Sequence, residues 1–224
     1  MKTSFTTFFT TFTLLFSMLG CQKKKEDKAF LVFNEGVSLS LDALRFYERG
    51  DYKNSEDANK KAILKFEQTL QIDSTHKGAR SALGHSFYLI GEFRKAIIWF
   101  EKANQIDEQT APNLRELGLS KINLGQVPEG RQDLEKAFKL DTSQEIRKIT
   151  ADDLYDIGKL AFEYGEDYIG QGESEKGKTY KLFSIDVLRL GFEIDNDRKD
   201  IARTIVVLAN KIGDKTTAAK YNAY

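Results

Sequence analysis

The chain has 224 residues, 30% of them charged, and its 34 basic side chains are balanced by 34 acidic ones. That balance argues against nucleic acid as the main ligand, because phosphate binding draws on a clustered excess of lysine and arginine. Two prolines leave long helices free to run unbroken, and a single cysteine excludes an intramolecular disulfide.

In chain order, Lys2 gives the start a positive charge, and residues 5–19 contain only Phe, Thr, Leu, Ser and Met. This stretch is too short and too rich in threonine for a membrane-spanning helix, and it reads as a secretion signal over residues 1–20. It ends in Met18-Leu19-Gly20-Cys21, which resembles a bacterial lipobox. The resemblance implies cleavage before Cys21 and acylation of that cysteine, palmitate included, which would hold the chain to a bilayer. Gln22 in the next place implies outer-membrane delivery in bacteria that use that sorting rule. Residues 21–35 are expected to be a flexible tether, since residues 22–28 (Gln-Lys-Lys-Lys-Glu-Asp-Lys) are too polar to bury anything.

From Gly36 onward, apolar stretches of helical spacing alternate with short breaks containing Gly or Asp. A shift of 34 residues lays Lys61-Ala62-Ile63 and Phe66-Glu67 on Lys95-Ala96-Ile97 and Phe100-Glu101. A second shift lays Leu83-Gly84 on Leu117-Gly118 and Glu101-Lys102-Ala103 on Glu135-Lys136-Ala137. A fixed period of this length marks stacked helix pairs, which present surface to partners and rarely perform chemistry. The units fall at residues 36–76, 77–110, 111–144 and 158–198, with a partial unit over 199–224. The outer units carry seven extra residues between the break glycine and the closing Ile-Asp pair. Seven residues return the apolar stripe to within about 20° of its starting face, so these units are expected to have longer second helices. Residues 142–157 are expected to extend a first helix backward or to add a short one. The apolar stretch 199–212 is expected to lie under the short C-terminal helix.

Leu83-Gly84-x2-Phe87, Gly91, Ala96, Phe100 and Ala103 resemble the tetratricopeptide repeat. Residues 111–144 match it through Leu114, Leu117-Gly118, Gly125, Gly130, Leu134 and Ala137, with Lys121 where the pattern has an aromatic. The resemblance implies an all-α fold, an α-solenoid of antiparallel helix pairs with about four and a half repeats, and a groove lined by the first helices. By matching position, the groove would present Leu44, Tyr47, His85, Tyr88, Leu119, Ile122, Glu166 and Ile169, with Arg115 and Asn123 on its flank. This mostly apolar set implies a hydrophobic or amphipathic protein segment as partner.

No HExxH, GxSxG, phosphate-binding GxxxxGK[ST] or CxxC motif occurs, so the expectation is a non-enzymatic protein without metal or cofactor. His76 and His85 lack a matched nucleophile and acid, and Asp197 reads as a helix start. The expected role is a lipid-anchored adaptor in a bacterial cell envelope. Two alternatives stay open: a carrier of an apolar small molecule, and a homo-oligomer joined through residues 199–212.

Overall fold

The computed structural model describes residues 5–106 and 109–224, with side chains described from Lys23 onward. All regular structure among these residues is helical: α1 (Phe5–Glu48), α2 (Tyr52–Ile72), α3 (Ala79–Leu89), α4 (Phe93–Ile106), α5 (Ala111–Asn123), α6 (Val127–Leu140), α7 (Gln144–Gly170), α8 (Ser174–Ile194), α9 (Lys199–Lys211) and α10 (Lys215–Tyr221). The fold is all-α, built from consecutive helix pairs. The chain divides into two compact units, Met1–Glu108 and Gln109–Tyr224. The first holds α1 to α4, the second α5 to α10.

The five pairs are turned by one repeated device. Gly50, Gly91, Gly125, Gly172 and Gly213 all have positive φ, between 74° and 88°. After each, the next amide donates to a carbonyl five residues back, as from Asp51 to Phe46 or Glu92 to Phe87, while the glycine amide donates three residues back. That is the Schellman end, which needs a residue tolerating the left-handed region. Unit ends share a second device. The carboxylates of Asp73, Asp141 and Asp195 accept the amide two residues on, at 2.9, 2.9 and 3.3 Å, each making a local turn that stops its helix. Side-chain caps begin several helices: Asp51 accepts from the Asn54 amide, Thr110 from Asn113 and Ser143 from Ile146.

Within each pair, small residues on the first helix meet large ones on the second. A methyl at Gly36 would sit 2.6 Å from the Phe66 ring, at Gly84 2.6 Å from Phe100, and at Gly158 2.6 Å from Leu188. Gly118 faces Gly130, and Gly165 faces Gly177, backbone against backbone. Gly84 and Gly118 lie seven residues before their break glycines, whereas Gly36 and Gly158 lie fourteen before theirs. In the long pairs the contact of glycine with a large side chain therefore forms one heptad, two helical turns, farther from the turn. The expected longer second helices are present, α2 and α8 at 21 residues against 14 for α4 and α6. Residues 144–157 extend α7 backward.

The second unit ends in a core of Phe162, Ile185, Leu188, Phe192, Ile201, Ile205, Ala218 and Tyr221. Here α10 covers α9, and the Phe192 ring lies 5.6 Å from Tyr221 and 4.8 Å from Tyr224. This cover over α9 answers the sequence expectation for residues 199–212.

The start of the chain departs from expectation. The backbone from Phe5 to Glu48 is one helix, so residues 23–35, read as a tether, are helical. Ala29 and Val32 are buried in the first unit. The reason is visible in Ala29-x2-Val32-x3-Gly36-x6-Ala43, whose spacing keeps one face against α2. Residues 1–4, and the side chains of the rest of the predicted signal segment and of Cys21, lie outside the described residues, as does Asp107.

Candidate functional site

In the first unit, α1 brings large apolar side chains to the surface near its turn into α2. Leu44 is 53% exposed and Tyr47 61%. The Tyr47 ring packs edge-on against Tyr52 at 5.5 Å, with Leu41 exposed one turn before Leu44. On α3, His85 is exposed and Tyr88 half-buried, its ring 5.9 Å from Phe93. Four of the predicted groove residues thus reach solvent at least in part. Leu41 and Tyr52 join the exposed set without having been predicted, though the i, i+3 spacing of Leu41 and Leu44 was a usable signal.

The second unit corrects the prediction. Leu119 and Ile122 are completely buried. They pack inside the unit and offer nothing to a partner; a methyl at Gly130 would sit 2.6 Å from Ile122. Asn123 donates its amide to the Leu119 carbonyl at 3.0 Å. Arg115 is a cross-helix bridge from α5 to α7: Nε donates to Thr150 Oγ1 at 3.0 Å, Nη2 to the Ile149 carbonyl at 3.1 Å and to the Asp153 carboxylate. Burial pushes the Asp153 carboxyl above the ordinary carboxylate range, with Arg115 opposing that shift. Glu166 is exposed and accepts from Lys181 at 3.3 Å, with Lys211 at 3.9 Å. Ile169 is exposed at the end of α7.

Where the repeat pattern expects an aromatic, Lys121 instead reaches Asp133 on α6 at 2.7 Å, and Lys136 takes the other oxygen at 2.8 Å. Asp133 is buried, so this charge is held by two ammonium groups. The second unit also has a cleft of about 650 Å³ between α6 and α8, with Val127, Pro128, Phe183 and Leu190 among its walls. Arg131 crosses it to Glu193 at 3.0 Å. This cleft is formed by second helices, which the groove prediction did not consider.

The acidic residues noted in the sequence have local partners. Asp152 accepts from Arg198, which also forks onto Asp200 at 2.8 and 2.7 Å. These bonds hold the arginine above its ordinary pKa, Asp200 contributing most. They fasten the start of α9 to α7. His76 stacks on Phe33 at 4.6 Å. Among the described residues no three acidic, cysteine or histidine side chains converge as a metal site.

No family model matches the sequence, and no curated protein does. Solved structures resemble it at low identity. A crystal structure of MamA is 22% identical, covering 77% of this chain and 89% of that one, with a TM-score of 0.46. A double mutant of MamA RS-1 is 12% identical over 84% and 91%, with a TM-score of 0.48. YrrB, described as a TPR protein with an unusual peptide-binding site, is 14% identical over 91% and 87%, with a TM-score of 0.46. The architecture of helix pairs rests on the turns and packing described above.

Proposed function

We propose that this chain is a non-enzymatic adaptor of the bacterial cell envelope, anchored by acyl chains on Cys21, with the outer membrane as its site. It binds an apolar or amphipathic segment of another envelope protein. The observation supporting this reading is the exposed cluster Leu41, Leu44, Tyr47 and Tyr52 at the turn end of the first pair. Contiguous large apolar side chains on a surface mark interaction sites, and tyrosines bury much area for little lost freedom. His85 and Tyr88 on α3 extend the available contacts. Among the described residues no helix is long and apolar enough to cross a membrane.

Photocrosslinking from position 47 in intact cells should capture one protein reproducibly, and Leu44→Asp should abolish the capture. Capture that persists in Leu44→Asp would remove the binding surface. The anchor is tested separately: wild type should partition with membranes, and Cys21→Ala should lose most of that partition after the signal is cut.

A further inference from the structure

The other end of α1's exposed face has a different character. Residues 23–28 are all exposed, and Ala29 is the first buried residue among those whose side chains are described. This exposed stretch carries Lys23, Lys24, Lys25 and Lys28 against Glu26 and Asp27, a local basic surplus in a chain of zero net charge. Directly after the lysines come Phe30 and Leu31, 58% and 63% exposed. Both point away from the Ala29, Val32 and Gly36 face that packs on α2. Basic residues followed by bulky apolar ones on an exposed helical face are the composition of an interfacial segment.

Two other occupants fit less well. Phe30, Val37 and Leu44 lie seven residues apart, but the preceding heptad place is Lys23. The apolar line is thus shorter than the three or four heptads that a coiled coil with a second copy needs. A protein segment would leave the four lysines without a stated counter-charge, whereas phosphates supply one.

We infer that the exposed segment 23–31 of α1 lies on a bilayer surface containing anionic lipid, with Phe30 and Leu31 at the boundary of head groups and acyl chains and Lys23, Lys24, Lys25 and Lys28 at the phosphates. This deepens the anchor reading: a helical segment held on the bilayer fixes the orientation of the first unit.

The test uses the full chain with Cys21→Ser and single cysteines at position 30, 31 or 38, each carrying an environment-sensitive fluorophore. Vesicles are phosphatidylglycerol and phosphatidylcholine in equal parts, or phosphatidylcholine alone. Circular dichroism confirms that each variant keeps its helicity. The expected result is a blue shift at 30 and 31, quenched by bilayer-embedded nitroxide, absent at 38, and much reduced without phosphatidylglycerol. Water-like emission at 30 and 31 on vesicles that hold the protein overturns the inference while leaving the anchor untouched. A blue shift that grows with protein concentration in the absence of vesicles overturns it in favour of a second copy. If the shift appears but Cys21→Ala partitions in cells like wild type, the surface stands and the anchor reading fails.

Discussion

Gly118 and Gly125 lie seven residues apart on the same helix and turn, yet they are glycine for different reasons. A methyl at Gly118 would meet the Gly130 carbonyl at 2.7 Å, and backbone cannot move aside as a flexible side chain can. Gly118→Ala should therefore destabilise the second unit by about 2 kcal/mol through overpacking. Gly125 has open space around it but a φ of 80°, so Gly125→Ala should lose about 1 kcal/mol from backbone strain alone. Urea unfolding of the two variants checks the order. Lys121→Ala removes one of two ammonium groups from buried Asp133 and should lose about 2 kcal/mol, since Lys136 keeps the charge partly compensated. A Lys121→Ala protein as stable as wild type would show that Lys136 suffices. At the far end, Asp214 accepts from the Thr217 amide at 3.0 Å, and its bonds to Thr217 hold its carboxyl below the ordinary 3.8. A depressed folded-state pKa means that stabilisation is full above the ordinary value and disappears as pH falls through the lowered one. Amide exchange in α10 should accelerate over that acidic interval, and Asp214→Asn should flatten the response.

At the scale of the helix, the long pairs make the small-to-large contact of the short pairs one heptad farther from the turn on each arm. Deleting residues 158–164 together with 178–184 should leave a cooperative fold, because Gly165 would then meet Gly177 and Leu188 in the register that Gly118 keeps with Gly130 and Leu134. Deleting either segment alone shifts one arm by seven residues against the other and should lower the melting temperature far more. Thermal unfolding of the three variants decides this. The second-helix insertions were legible as a stretched interval between break glycine and closing Asp. The backward extension of α7 was legible too, in the extra residues 142–157, but that of α1 was not, because Gly36 sits where no fixed spacing from the period of 34 points. The helical start of α1 was hidden for a related reason: the charged run 22–28 dominates composition, while the packing face needs only Ala29 and Val32, two residues seven places or fewer before Gly36. Turns were the most legible elements, since a positive-φ glycine has few substitutes.

The two units each carry their own core, so residues 109–224 should fold alone, with a cooperative melt followed by circular dichroism. A fragment lacking cooperative melting would tie its stability to the first unit. The candidate surface was less legible than the fold. Position within the repeat correctly brought Leu44, Tyr47 and His85 to solvent, yet the same rule failed for Leu119 and Ile122, where neighbouring side chains close over the site. Arg115 shows the limit most clearly, since its partners Ile149, Thr150 and Asp153 lie more than 30 residues away and no local pattern announces them.

Whole-heptad growth of both arms has a consequence for how such a chain acquires new surface. Lengthening puts extra helix between the turn and the Gly36–Phe66 or Gly158–Leu188 contact. In the α7–α8 pair this added length carries tyrosines that meet, Tyr164 and Tyr168 with Tyr180. Variation among related chains should then concentrate at these outgrowths, where a novel grip can be tried without endangering the frame beneath.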